Sequence, residues 1–117
     1  MDLQTAIQAH GEWKVKLRSA IIKKEKLDAQ AIGRDDGCAL GKWLHGEGKA
    51  KFGRLPAFTG CVHKHATFHQ EAGRVAAAIN AGRYEDADRM LAGGSSYAAA
   101  SSAVGGAILA LGKDAGL

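Results

Sequence analysis

The chain is poor both in the residues that break helices and in those that build sheets. It contains a single proline among 117 residues, and much of its hydrophobic fraction of 46% is alanine. β-Branched residues do not stand in alternating runs, so no sheet is predicted. Because alanine favours helix and this length suits one domain better than two, we expect a single all-α domain over residues 1–117.

Cysteine and long apolar runs are also scarce. The chain is long enough to form a core without disulfides, and two cysteines with no signal peptide indicate reduced thiols in the cytoplasm. The longest uncharged apolar stretch, YAAASSAVGGAILAL, is rich in small polar residues and shorter than the ~20 mostly apolar residues that a membrane span needs. We therefore predict a soluble protein that does not insert into membranes.

Aromatic residues, only 6% of the chain, are not interleaved with its basic residues. The formal charge is +4, and most of the excess lies in KVKLRSAIIKKEK, residues 14–26. We interpret this stretch as a solvated helix face, since a nucleic-acid patch would also need interleaved aromatics or a known motif. No nucleic-acid partner is predicted, and a membrane-surface role is weakly supported because the apolar residues of the segment are assigned to the core.

What the chain does contain is helical periodicity. Apolar residues at helical spacing predict one helix over residues 2–27, with Asp2 as its N-cap, and another over residues 56–80, with Pro56 in its first turn. A short helix is expected near Cys38, and a last helix from Tyr84 that Gly93 and Gly94 kink or split. The expected fold is an antiparallel four-helix bundle, one short helix of which carries a cysteine.

Three of the five histidines fall on predicted interior stripes. His65 and His69 are four residues apart, so they share a helix face with Cys61, and His10 lies on the apolar face of the first helix. An interior imidazole must satisfy both ring nitrogens, and a divalent metal would satisfy one nitrogen of each ring. A lone core histidine is usually only hydrogen-bonded, but three of them together with Cys38 favour a metal site.

The segments HGEWK, CALGKWL and HATFHQEA together resemble the bacterial chemoreceptor zinc-binding domain, called CZB. That family carries a histidine followed by an aromatic residue, then C-x-L-G-x-W, then H-x-x-x-H. The resemblance implies a four-helix bundle that holds Zn²⁺ through His10, Cys38, His65 and His69. Only this resemblance favours Cys38 over Cys61 as the cysteine ligand, and Cys61 remains the rival. The last helix, from Tyr84, carries no part of the signature.

A zinc ion with four protein ligands has no position left for water, so we expect no enzymatic activity. The resemblance implies a sensory or regulatory domain of bacterial signalling, in chemotaxis or cyclic-di-GMP control, that responds to zinc or to oxidation of its cysteine ligand. It also implies a chemoreceptor or diguanylate cyclase partner, in cis or in trans. A homodimer is expected by analogy with the family and from the small residues Ala100, Ala103 and Ala107.

Two other functions stay open at this point. One is an iron or haem bundle protein, although a di-iron bundle wants several glutamates beside its histidines and this core supplies almost none. The other is a metal-free helical adaptor or dimerisation module, in which the histidines would pack in the core without binding a metal.

The neighbours of the expected ligands have simpler alternatives. Trp13 and Trp43 are expected either to shield the site from water or simply to pack in the core. Gly41 is expected either to let the short helix approach its neighbour closely or to serve as a turn glycine. Asp35 or Asp36 could accept a hydrogen bond from a ring N–H of a ligand histidine, although helix capping is favoured for both. We assign His45 and His63 to the surface.

Overall fold

Seven helices and no strand make up the computed structural model, which describes all residues, 1–117. In chain order they are α1 (Leu3–Lys23), α2 (Ala29–Ile32), α3 (Ala39–His45), α4 (Glu47–Phe52), α5 (Pro56–Asn80), α6 (Tyr84–Met90) and α7 (Ser96–Ala115). The long helices α1, α5 and α7 pack on one another, and the four short helices occupy the connections between them. The predicted all-α bundle is confirmed.

The first helix ends earlier than the sequence predicts. It begins as expected, with the Asp2 carboxylate accepting hydrogen bonds from the backbone N–H groups of Gln4 and Thr5. It stops at Lys23 because Lys24 takes the left-handed conformation, with φ at 55°, and the next amide bonds back to Ala20. Such a turn satisfies the last carbonyls of a helix and redirects the chain.

The third predicted helix has the predicted bounds. Pro56 stands in the first turn of α5, where its missing N–H is not needed. At the other end, Gly82 has a φ of 77°, a conformation that costs glycine little. The residues at which α5 begins and ends can therefore be recognised from local chemistry alone.

The last predicted helix is split in two. α6 ends at Met90 and α7 begins at Ser96, and between them Gly94 takes a positive φ of 83°. The Ser95 hydroxyl accepts a hydrogen bond from the Ala98 amide and so caps the new helix. Ala100, which we expected at a dimer seam, is buried against the rest of the chain.

The short helices α2 and α4 have no counterpart in the sequence prediction. α2 lies so close to α5 that a Cβ added to Gly73 would be 2.9 Å from the Cα of Gly33. This approach brings the backbone carbonyl of Ile32 to the side chain of His69. Because both positions are glycine, α2 can approach α5 closely enough for the Ile32 carbonyl to accept a hydrogen bond from His69.

The core lies between the three long helices and α3. Its fully buried large side chains are Leu17, Leu40, Leu44, Phe68, Val75, Ile79, Leu91, Val104, Ile108 and Leu111. The buried polar side chains are His10, His65 and His69. Imidazoles inside such a core need partners, because an unpaired buried polar group costs about 1–3 kcal/mol.

Candidate metal centre

Four side chains that are distant in sequence meet at one point in the bundle. His10 comes from α1, Cys38 from the residue before α3, and His65 and His69 from α5. One nitrogen of each histidine and the Cys38 sulfur all lie within 4.8 Å of one another. The structure thus brings together all four of the sequence-predicted site residues.

The distances suit a tetrahedral ion. The Cys38 Sγ atom lies 3.2 Å from Nε2 of His65 and 3.6 Å from Nε2 of His69. Zinc–nitrogen bonds of about 2.0–2.1 Å and a zinc–sulfur bond of about 2.3 Å give tetrahedral edges of roughly 3.3–3.6 Å. These two pairs of atoms therefore already have nearly the spacing that such an ion would require, and the whole set lies within 4.8 Å.

Backbone carbonyls orient two of the rings. Nδ1 of His10 donates to the Ala6 carbonyl at 2.7 Å, and Nδ1 of His69 donates to the Ile32 carbonyl at 2.8 Å. A carbonyl can only accept, so both rings carry their proton on Nδ1 and present a bare Nε2 to the centre. This is the arrangement in which ligand histidines bind a metal.

Two buried ring nitrogens have no partner in the protein. Nε2 of His10, which faces the cluster, makes no hydrogen bond, and neither does Nδ1 of His65. A cation at the centre would take the lone pair of the His10 nitrogen and remove the cost of burying it unpaired. His65 is held by packing, with its ring centre 4.5 Å from that of His69.

The Cys38 thiol is already acidic in this environment. Burial alone would raise its pKa, but the neighbouring imidazoles of His10, His65 and His69 and the Gly41 N–H together lower the pKa to about 3. At neutral pH the sulfur is therefore a thiolate, which is the form that binds metals and reacts with electrophiles.

The environment shifts the pKa values of His65 and His69, the two histidines nearest the sulfur, in opposite directions. Burial dominates at His65 and lowers its pKa, which keeps the ring neutral. At His69 burial acts in the same direction, but the Cys38 sulfur and the Ile32 carbonyl outweigh it, and the pKa is raised.

The short helix α3 is built around the cysteine. The Cys38 sulfur accepts a hydrogen bond from the Gly41 amide at 3.3 Å and so acts as the N-cap of α3. A Cβ on Gly41 would lie 1.7 Å from the Asp35 carbonyl oxygen, so only glycine allows this approach. The close-approach interpretation of Gly41 is thus confirmed.

Cys61 lies outside the cluster, although it shares a helix with two of the histidines. It is completely buried among core side chains, and burial raises the pKa of its thiol to about 11. Its place is that of a small apolar core residue.

The expected roles of Asp35 and Asp36 are wrong. The Asp35 carboxylate contacts His45 at 3.0 Å, and the Asp36 carboxylate pairs with Arg34. Neither bonds to a ligand histidine, and neither side chain caps a helix. Backbone carbonyls of Ala6 and Ile32 take the role of acceptor instead. The first could have been foreseen from its position four residues before His10, but the second depends on how α2 packs.

The aromatic wall of the site is Phe68, which sequence reasoning placed only on the core stripe. Its ring centre lies 5.3 Å from that of His10 and 5.5 Å from that of His69. Trp43 instead stacks near Phe52 and Phe58, and the half-buried Trp13 has the Lys16 amine over its ring. The two tryptophans therefore follow the core-packing alternative.

His45 and His63 are exposed, as predicted. The cluster contains no carboxylate, which is the ligand that a di-iron bundle requires. No helix combines the length and the apolar character needed to cross a membrane.

Fold and site together define a helical metal-binding domain with three imidazoles and one thiolate at its centre. The family model of the chemoreceptor zinc-binding domain matches residues 10–76, which include all four cluster residues. The chain belongs to this family, and zinc is its cofactor. Comparison with curated proteins and with solved structures gave no significant match. The resemblance noted from the sequence motifs is confirmed, and with it a role in chemoreceptor-type signalling.

Proposed function

We propose that His10, Cys38, His65 and His69 bind one Zn²⁺ and that residues 1–117 form a single zinc-sensing domain. The observation that carries this proposal is the convergence of four donor atoms within 4.8 Å inside a helical core. The bare Nε2 of His10 and the thiolate of Cys38 supply the lone pairs that zinc prefers. Support for one domain comes from α7, which lies beyond the family match but packs on α5 and α1.

The site is suited to a structural or sensory ion rather than to catalysis. Four protein donors complete a tetrahedral shell, whereas catalytic zinc keeps one position for water or substrate. We accordingly propose that the domain is not an enzyme.

Zinc binding would connect separate elements of the bundle. The donors come from α1, from the start of α3 and from α5, so an ion would hold the three together. α3 has only seven residues and is capped by the Cys38 sulfur itself, so it depends most on the site. Release of the ion would loosen α3 first, and this change is the proposed signal.

Cys38 also makes an oxidant response chemically reasonable. The thiolate can attack hypochlorous acid at chlorine, so that an S–Cl bond forms and hydroxide leaves. Water then hydrolyses the sulfenyl chloride to a sulfenic acid, chloride and a proton, which completes a two-electron oxidation of sulfur by the oxidant. A sulfenic acid is a poorer zinc ligand than a thiolate. Cys38 is half-buried, so an oxidant reaches it more easily than it reaches the fully buried Cys61. We propose zinc as the primary signal and oxidation of Cys38 as a second way to release it.

Metal analysis tests the central claim. We expect one zinc per chain in the purified protein and a loss of helical signal in circular dichroism after strong chelation, reversed by added zinc. A protein without stoichiometric metal, and with unchanged helicity in chelator, would instead be the metal-free adaptor.

The output of the domain is proposed by analogy with its family. A chemoreceptor signalling region or a diguanylate cyclase that controls cyclic-di-GMP would receive the change, in the same chain or in another one. The free thiols of Cys38 and Cys61 suit the reducing cytoplasm. Co-purification of the full-length partner with and without chelator tests whether zinc controls the contact.

We also propose a homodimer. Apolar side chains stand exposed on the outer faces of two long helices, Val15 and Ile22 on α1 and Leu109 on α7. Analytical ultracentrifugation of the wild type and of Ile22→Lys should show a dimer that the substitution weakens. A wild-type monomer at micromolar concentration contradicts the proposal.

A further inference from the structure

A cavity of about 520 Å³ lies between α3, α4 and the first turns of α5. It shares no residue with the candidate metal centre. Its apolar wall includes Leu44, Phe58 and Val62, so it is not simply a gap between polar surface side chains. This volume lies within the range of about 300–1,000 Å³ that is typical of small-molecule sites.

The rim of the cavity is positively charged. Lys49 and Arg54 line it, both are exposed, and neither forms an ion pair within the protein. No acidic residue lines the cavity. The nearby carboxylate of Glu47 is already paired with Lys51 at 2.9 Å.

His45 completes the polar side of the rim. Its Nε2 lies 3.0 Å from the Asp35 carboxylate, so this nitrogen already has a partner within the protein. Lys49 and Arg54 are therefore the two cationic side chains without an ion-pair partner at the rim. A guanidinium offers two parallel N–H donors to a carboxylate, and an ammonium adds a point charge.

We infer that this cavity binds a small amphipathic organic anion, a carboxylate attached to an aromatic or alkyl body. The carboxylate would pair with Arg54 and Lys49, and the apolar body would lie against Phe58, Leu44 and Val62. An uncharged ligand of the same shape would leave both cations without a partner. The charge of the rim thus determines the class of ligand.

The cavity lies between helices that the candidate zinc ligands also connect. The ligand would bridge α3 and α4 to α5, and the candidate zinc ligands Cys38, His65 and His69 join the start of α3 to the same helix. Two ligands that both hold α3 against α5 should each increase the affinity of the other, and by the same factor. This coupling rests on the proposed zinc site, whereas anion binding itself does not.

Calorimetric titration of the zinc-loaded full chain tests the site, with 2-naphthoate as the probe and 2-naphthamide as its uncharged analogue. At constant ionic strength we expect the naphthoate to bind and the amide to bind about tenfold more weakly. Equal affinities, or no naphthoate binding at millimolar concentration, would overturn the inference and leave the zinc site untouched.

Charge-removing variants test the assignment of residues. Arg54→Gln and Lys49→Gln should each weaken naphthoate binding by about fivefold, and both positions are exposed, so folding should not suffer. Arg74→Gln is the matched control, because Arg74 is an exposed cation on α5 that pairs with Glu71 outside the cavity. Equal weakening by the control would mean that the anion responds only to net charge, and the site would be refuted.

Competition with a chelator tests the coupling. Saturating naphthoate should raise by several-fold the chelator concentration that removes half of the zinc, and Arg54→Gln should reduce this shift at the same naphthoate concentration. An unchanged midpoint in the wild type would refute the coupling, while the calorimetric result would still decide on the anion site.

Discussion

At the scale of single residues, Cys38 has two functions that depend on the same sulfur. The thiolate caps α3 by accepting the Gly41 amide, and it lies 3.2 Å from His65. A chemical change at this atom therefore affects a helix terminus and a candidate zinc ligand together. This is why a reaction at one side chain can alter the bundle.

The two cysteines should differ sharply in reactivity. In zinc-free protein, iodoacetamide should label Cys38 much faster than Cys61, whose thiol is completely buried. The pKa of Cys38 is lowered to about 3, so its thiolate fraction is already complete and its labelling rate should stay flat between about pH 5 and pH 8. Peptide mass spectrometry of timed samples measures both rates.

The controls for this prediction are the single serine variants. Cys61→Ser should retain the fast reaction, and Cys38→Ser should lose it. A Cys38 labelling rate that rises tenfold per pH unit through this range would indicate an ordinary thiol.

Removal of one imidazole should abolish tight zinc binding. His69→Ala deletes a donor at the centre and leaves the Ile32 carbonyl without its partner. We expect zinc content to fall from one per chain to a small fraction after dialysis against a mild chelator. The measurement is elemental analysis at matched protein concentration.

His63→Ala is the matched control, since His63 lies on the same helix but is exposed and outside the cluster. It should keep its zinc. A loss of zinc from this variant but not from His69→Ala would contradict the proposed ligand set.

At the scale of helices, the contact between α2 and α5 determines the orientation of His69. A methyl group on Gly73 would lie 2.9 Å from the Cα of Gly33, so the four-residue helix would have to shift. The Ile32 carbonyl that accepts from Nδ1 of His69 would move with it. A residue that never touches the metal is thus expected to control its binding.

Gly73→Ala should therefore weaken zinc affinity by about tenfold or more, as loss of a ligand's hydrogen-bond partner commonly does. Competition with a fluorescent chelator measures the affinity. Gly60→Ala is the control, because a Cβ on Gly60, in the same helix, meets nothing within 4 Å. This control should bind zinc normally, and alanine should even favour its helix. Equal affinities of the two variants would contradict the positioning role of α2.

At the scale of the whole molecule, zinc should act as a clamp between three elements. An ion that binds only the folded state raises the free energy of unfolding in proportion to the logarithm of its free concentration. We expect the Tm to fall in strong chelator and to return when zinc is added.

The matched variant for this experiment is His69→Ala, whose Tm should hardly respond to either treatment. Differential scanning calorimetry across a zinc titration measures the effect. A wild-type Tm independent of zinc would mean that the ion does not hold the bundle together.

Local chemistry explains why part of the fold could be predicted. Pro56 and Gly82 mark the two ends of α5, and its apolar spacing shows which face is buried. The helices α2 and α4 have four and six residues, too few for a periodic pattern, so their existence depends on tertiary contacts. The partner of Asp35 also depends on a tertiary contact. The sequence suggested a ligand histidine as its partner, whereas the folded chain pairs it with His45.

The amino-acid sequence by itself determined the helical class, the family and the four residues expected to bind zinc, because side-chain spacing and motif order are local properties. Only the tertiary structure decided which acceptors orient the imidazoles, that Phe68 walls the site, and that Cys61 stands apart. These facts depend on how helices far apart in sequence approach one another. That approach is set by packing, and for α2 and α5 it depends on the contact of Gly33 with Gly73.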